Sequence, residues 1–289
     1  MKNYPSRGRK RFLFLTSLPP GRKDFDMSAK PSFLVLAGDG INCERETAFA
    51  LEFAGAAPKI IHVNDLIASP ETLKTADGFA IPGGFSFGDE LGSGQILALK
   101  LRHKLGDKFF KMIEGKKPVI GICNGFQVLV KLGLLPYPDA EERVLALAPN
   151  ESGGFINRWV GLNVDPQSIC LWTQGIEKTL LELPIRHGEG RIAFKRGEEE
   201  KHYQALLSQG LIPLTYTEDV NGSYGRIAAL TDPSGMVLGL MPHPEAFIFK
   251  ETYKNPASRE MEKGDGALIF ENIMRIMKGE ESSYERRTG

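Results

Sequence analysis

From Ser32 onward, short apolar runs alternate with longer stretches of mixed apolar and polar positions. Phe33-Leu34-Val35-Leu36-Ala37 is apolar throughout and stops at Gly38-Asp39-Gly40, the pattern of a strand buried on both faces. Glu44 to Gly55 has helical periodicity and ends on a glycine that suits a helix C-cap. Lys59 to Val63 predicts a second strand, and Asp77 to Ile81 a third that is cut off by Pro82-Gly83-Gly84. Helical periodicity returns over Gln95 to Glu114 as more than one helix. The run Pro118-Val119-Ile120 then feeds a fourth turn, followed by the helical pattern Phe126 to Val130. Buried strands separated by helices predict a mostly parallel α/β sheet, whose ligands sit at the carboxyl ends of the strands.

Past Leu135-Pro136 the pattern changes. Phe155 to Val164 and Tyr224 to Leu240 read as strands, the second divided by a hairpin turn at Asp232-Pro233-Ser234-Gly235. Gly266 to Met277 predicts a closing helix. There is no internal repeat, so the expectation is one elaborated domain over 32–278. A basic, proline-bearing leader (1–31) precedes it and a polar tail (279–289) follows; both are expected to be disordered or frayed.

Composition removes several function classes. Acidic and basic residues balance at 36 each, so no net field draws the chain to nucleic acid or to an anionic membrane. No apolar stretch approaches the roughly 18 residues of a membrane span. Three scattered cysteines, Cys43, Cys123 and Cys170, form neither a disulfide framework nor a C-x-x-C zinc pattern, and they fit a reducing cytoplasm.

The candidate chemistry lies at the strand ends. Gly121-Ile122-Cys123-Asn124-Gly125 joins a strand to a helix and holds a cysteine between two glycines, the form of a nucleophile elbow with a thiol in it. Such a residue sits at a helix N-terminus, where the backbone dipole favours negative charge. The competing reading is a buried structural cysteine at a tight turn. A thiol nucleophile needs a base and a group that orients it. Met241-Pro242-His243-Pro244-Glu245 offers both: in an extended segment His243 and Glu245 point to one side. A solvated surface turn is the alternative for that segment. Pro82-Gly83-Gly84-Phe85-Ser86 offers small residues whose N–H groups at Gly84 and Phe85, with that of Asn124, suit an oxyanion hole.

Together these segments resemble the class I (triad) glutamine amidotransferases, and within them the glutaminase subunits of phosphoribosylformylglycinamidine synthases. The elbow and His243-Pro244-Glu245 carry the wider resemblance. Gly84-Phe85-Ser86-Phe87-Gly88-Asp89, His187-Gly188-Glu189-Gly190-Arg191, Asn221-Gly222-Ser223 and Asn42-Cys43-Glu44-Arg45-Glu46 carry the narrower one. The resemblance covers about Ser32 to Met277. It implies a single flavodoxin-like domain, a central mostly parallel sheet flanked by helices with added antiparallel strands. It also implies that Cys123 attacks the amide of glutamine, His243 moves the proton and Glu245 orients His243. Gln127 is placed one helical turn on to contact glutamine. The segment Asn150 to Phe155, with Ser152 and Phe155 as candidates, grips the amino-acid end. His187 and Glu189 read as interface or ammonia-passage residues.

The ammonia is expected to pass to a synthetase subunit that converts formylglycinamide ribonucleotide to the amidine in purine synthesis, with a small bridging subunit between them. No Walker A loop occurs in this chain, so ATP and magnesium are expected on that partner, with no cofactor and no metal here. Ala246 stands where the family often has an arginine, which bears on a partner contact rather than on the triad. The alternatives are a stand-alone cysteine-elbow γ-glutamyl hydrolase and a non-catalytic scaffold subunit. Cys43, flanked by Glu44 and Glu46, is expected to be structural or interfacial, and Cys170 a packed residue. His62, His103 and His202 are expected on a strand, a helix surface and a loop, without metal-ligand spacing.

Overall fold

The computed structural model describes residues 30–280 apart from 139, 141 and 257–260. The expected leader and tail lie outside the described residues except for 30–31 and 279–280. In chain order the elements are β1 (Ser32–Ala37), α1 (Glu44–Phe53), β2 (Ala57–His62), α2 (Val63–Ala68), α3 (Thr72–Thr75), β3 (Gly78–Ile81), α4 (Gln95–Leu105), α5 (Asp107–Glu114), β4 (Val119–Ile122) and α6 (Asn124–Leu132). There follow β5 (Leu145–Pro149), β6 (Ile156–Val164), β7 (Leu180–His187), β8 (Glu189–Phe194), α7 (Glu199–Ser208), β9 (Leu214–Tyr216), β10 (Ile227–Thr231), β11 (Val237–Leu240) and α8 (Asp265–Met277).

Among the described residues, nine strands form one sheet in the order β2-β1-β3-β4-β11-β10-β9-β6-β7, and β5 pairs with β8 beside it. The first five run parallel, because each apolar run crosses over through a helix. The rest are antiparallel additions. Burial explains the division. Phe33, Val35 and Leu36 are fully enclosed, as are Phe79, Ala80, Val119, Ile120 and Leu238, so these strands are apolar on both faces. Helices α1 and α8 pack together over the sheet, as do α4 and α6. Leu97, Leu101, Val128 and Leu129 bury the α4–α6 side, and Leu51, Ile269, Phe270 and Ile273 the α1–α8 side.

The Asp232 turn forms as expected. Its carboxylate accepts from Val237 N at 2.9 Å and from Ser234 Oγ at 2.6 Å, fixing the β10–β11 connection. Two expectations are corrected in detail. Tyr224–Arg226 is a 3-10 turn rather than strand, with Gly225 and Arg226 at positive φ, so β10 starts at Ile227. His202 lies on α7, where its ring stacks on Phe194 and meets Glu198 at 3.2 Å, rather than in a loop.

The parallel topology brings four loops to one edge. The carboxyl ends of β1, β3, β4 and β11 lead into Cys43, Gly83-Gly84, Cys123 and His243 respectively. No helix among the described residues is long and apolar enough to cross a membrane.

Candidate active site

Cys123 joins β4 to α6 with φ 51° and ψ −105°, a backbone conformation that L-residues rarely adopt. The flanking glycines make that turn possible. A Cβ on Gly125 would lie 1.9 Å from the Ile81 carbonyl oxygen, and one on Gly121 would lie 2.7 Å from the Gly125 carbonyl oxygen. Helix α6 can therefore drop directly onto β3 and β4. The Cys123 N–H donates to Leu240 O at 2.8 Å, tying the elbow to β11. Its Sγ is 3.7 Å from Arg186 O on β7, and the residue is 6% exposed.

His243 follows β11 directly. Its N–H donates to Pro184 O at 2.9 Å, so β7 fixes the segment from the other side. Pro244–Ala246 is a 3-10 turn, and this bend brings Glu245 round to His243. Glu245 Oε1 lies 2.6 Å from His243 Nδ1, and both side chains are buried. Nδ1 thus carries the proton toward the carboxylate, which leaves Nε2 for chemistry. His243 Nε2 has no hydrogen-bond partner among the described residues. Burial alone would push the imidazole toward neutrality. The Glu245 carboxylate and then the Cys123 thiol outweigh it and raise the pKa well above the usual histidine value, with the Cys43 thiol adding to the push.

Gly83 separates these groups. A Cβ there would lie 2.8 Å from His243 Cε1 and 3.5 Å from Cys123 Cβ. Of the expected oxyanion donors, the N–H groups of Gly84 and Asn124 are not used by the turns and loops around them. The third expected donor, the Phe85 N–H, donates to Gly40 O at 2.7 Å, beside a bridge that pairs Ile41 with Gly84. The buried Asn124 side chain accepts from Ser86 N at 3.2 Å and donates to Gln127 Oε1 at 2.9 Å, holding the Gly84–Asp89 loop to α6.

Gln127, expected to contact glutamine, lies on α6 one turn past Cys123. It is buried, and its amide is engaged at both ends, with Nε2 donating to Glu189 O at 2.5 Å. It braces α6 against β8 instead of presenting a free amide. Ser152 and Phe155 are exposed; the Phe155 ring is 6.3 Å from that of Phe85, so the two aromatics flank the Gly84 loop. Asn150 anchors this loop by donating to His187 O at 2.8 Å and Gly154 O at 2.9 Å. Because both amide hydrogens go to carbonyls, Asn150 Oδ1 accepts from His187 Nδ1 at 3.0 Å. His187 Nε2 is then a buried acceptor without a partner among the described residues, and burial followed by the charge at His243 lowers the pKa to about 4. Glu189 pairs with Lys131 at 3.6 Å.

Two residues near the chemistry escaped sequence reasoning. Tyr216, on β9, is buried with its hydroxyl unpartnered among the described residues, and its pKa is raised by burial and by the Cys123 thiol. No local motif marks it, because a three-residue strand in the antiparallel extension delivers it. Cys43, expected to be structural or interfacial, instead reaches the triad. Its Sγ lies 3.5 Å from the Cβ position of Gly83, and burial raises its pKa ahead of the opposing effect of His243. Of the two neighbouring carboxylates expected to act on it, Glu46 contributes, while the larger carboxylate effect comes from Glu245.

A thiol on a strained elbow, a buried imidazole held by a carboxylate and two backbone N–H groups meet at one edge of the sheet, an arrangement that can support acyl transfer through a thioester. The chain matches the model of the CobB/CobQ-like glutamine amidotransferase domain over residues 30–276. It is 39% identical to phosphoribosylformylglycinamidine synthase subunit PurQ of Dehalococcoides mccartyi, over 86% of this chain and 98% of that one. It is 35% identical to the Thermotoga maritima subunit of the same name, over 86% and 99%. A chain of the solved PurLQS structure from Thermotoga maritima superposes with a TM-score of 0.66 at 34% identity, covering 86% of this chain and 99% of that one.

Proposed function

The chain belongs to the CobB/CobQ-like glutamine amidotransferase domain family and, within it, to the PurQ subunits of phosphoribosylformylglycinamidine synthase; from that premise we propose that Cys123, His243 and Glu245 hydrolyse glutamine and that the ammonia is used by a separate synthetase subunit. The observation that carries the roles is the convergence on Gly83 of the strained Cys123 elbow and the carboxylate-held His243.

Cys123 Sγ attacks the side-chain carbonyl carbon of glutamine, and its proton resides on His243. The tetrahedral oxyanion accepts hydrogen bonds from the N–H groups of Gly84 and Asn124, a contribution of about 10²–10³ in rate per donor. The raised His243 then protonates the departing nitrogen, and ammonia leaves with a γ-glutamyl thioester on Cys123. Water, its proton taken by His243, attacks the thioester and releases glutamate. Glu245 holds one tautomer through both halves. The Asn150–Phe155 loop, with the aromatic face of Phe155, closes over the amino-acid end of glutamine, and Gln127 supports the wall behind it.

In this reading the synthetase partner, not this chain, binds ATP, magnesium and formylglycinamide ribonucleotide, and a small subunit bridges the two. This chain supplies no cofactor and works in the cytoplasm. His187 and Glu189, at the β7–β8 turn, lie on the side by which ammonia leaves.

The test is glutamate release from glutamine by the purified protein, alone and with a synthetase partner loaded with ATP and substrate. Activity that rises in the loaded complex supports coupling. High activity indifferent to the partner identifies a stand-alone hydrolase, and partner binding without any turnover identifies a scaffold.

A further inference from the structure

The mechanism above does not use Cys43, yet its thiol shares the triad's enclosure. Cys43 Sγ, an imidazole nitrogen of His243 and a carboxylate oxygen of Glu245 all lie within 4.8 Å of one another. The absent side chain of Gly83 leaves open the space between them. A Cβ there would meet Cys43 Sγ and Cys123 Cβ at 3.5 Å each and His243 Cε1 at 2.8 Å. His243 Nε2 and Glu245 Oε2 are buried and have no partner among the described residues. A thiol, an imidazole and a carboxylate therefore cluster beside Gly83.

This is the donor set of a zinc-class cation. Thiolate and imidazole select Zn²⁺, Co²⁺ or Cd²⁺ over Mg²⁺ and Ca²⁺, which take oxygen ligands. In a tetrahedral site with Zn–S near 2.3 Å and Zn–N near 2.0 Å, sulfur and nitrogen donors stand about 3.5 Å apart. Cys43 Sγ and the His243 nitrogen already lie within 4.8 Å of one another. Glu245 supplies an oxygen donor within the same span, a ligand that zinc also accepts.

We propose that Cys43, His243 and Glu245 form a binding site for a thiophilic divalent cation, and that occupancy silences glutamine hydrolysis by withdrawing the base and the carboxylate that orients it. The silencing half rests on the glutaminase reading; the binding half does not. Cys43 is what distinguishes this site from the general sensitivity of thiol enzymes to heavy metals.

Binding is read first by Co²⁺ titration of the Cys123→Ala protein, in which Cys43 is the remaining thiol at the site. The expected result is a near-ultraviolet thiolate-to-cobalt band that Zn²⁺ displaces and that is lost in Cys43→Ser/Cys123→Ala. No band in the single variant, or a band that survives in the double variant, overturns the proposal. Inhibition is then read in the synthetase complex as glutamate release against free Zn²⁺ at fixed Mg²⁺, with ammonia-driven synthesis by the same complex as the control for metal effects on the partner. The expected result is an inhibition constant at least tenfold weaker in Cys43→Ser than in the unmodified chain. Equal constants overturn the role of Cys43. Serine is itself a favoured helix N-cap, so this substitution keeps the start of α1. A protein that shows the cobalt band but no glutamine turnover would retain the metal site and lose the glutaminase reading.

Discussion

Cys43 and Cys123 occupy equivalent places in the architecture. Each is the N-cap of a helix that follows a parallel strand, α1 after β1 and α6 after β4, and each borders Gly83. Their backbones differ. Cys43 has φ −108° and ψ 18°, conformations open to any residue, whereas Cys123 has φ 51° and ψ −105°. Helix α6 approaches β3 so closely that only glycine fits at 125. Carboxylates separate them too: Glu44 and Glu46 lie in the first turn of α1, and α6 has no acidic residue there. A helix N-terminus alone thus does not make a nucleophile. The strained turn lifts the thiol toward substrate, and an acid-free first turn leaves the helix field intact.

The largest expected effect that breaks the comparison is on catalysis. Cys123→Ser should lower glutamine hydrolysis by about 10⁴-fold or more. Cys43→Ser should remain at least a hundredfold more active than that variant in the same glutamate assay. Stability gives the next contrast. Gly125→Ala drives a Cβ into backbone at Ile81 and should cost at least about 3 kcal/mol in denaturant unfolding. Cys43→Ser, at an ordinary cap, should stay within about 1 kcal/mol.

The dryness of the shared enclosure is readable through His187. Its pKa falls to about 4 in the folded chain against an ordinary value near 6.5. The unfolded chain therefore takes up the proton first, and the stabilising contribution is complete above pH 6.5 and lost as pH falls toward 4. The loss amounts to about 3 kcal/mol over that window. His187→Gln should flatten this part of the stability profile, measured by unfolding at pH 4.5, 5.5 and 6.5. An unchanged slope would place the side chain in contact with water.

The parallel half was legible because its signals are local. Apolar runs marked β1, β3 and β4, glycine spacing marked the elbow, and proline bracketing marked His243. The antiparallel half was legible only in part. β6, β10, β11 and the Asp232 turn announced themselves, but β7 is interrupted by Pro184 and by Arg186, and β9 is three residues long. Their registers depend on partners distant in sequence. That is why Tyr216 went unnoticed beside Cys123. The surroundings of three site residues were hidden for a related reason. The carbonyl of Glu189, 62 residues away, takes the Gln127 amide. The neighbours of Cys43 in sequence are acidic, while its strongest electrostatic neighbours in space are His243 and Glu245. The Phe85 N–H is taken beside the Ile41–Gly84 bridge, invisible in either segment alone.

The most direct measurement of the central claim is peptide mass spectrometry after treatment with an electrophilic glutamine analogue, with both thiols in competition. The account predicts one label per chain, on the peptide containing Cys123, prevented by excess glutamine and abolished in Cys123→Ala. Label on the Cys43 peptide at a comparable rate, or an unlabelled Cys123 in a protein that turns over glutamine, would contradict it.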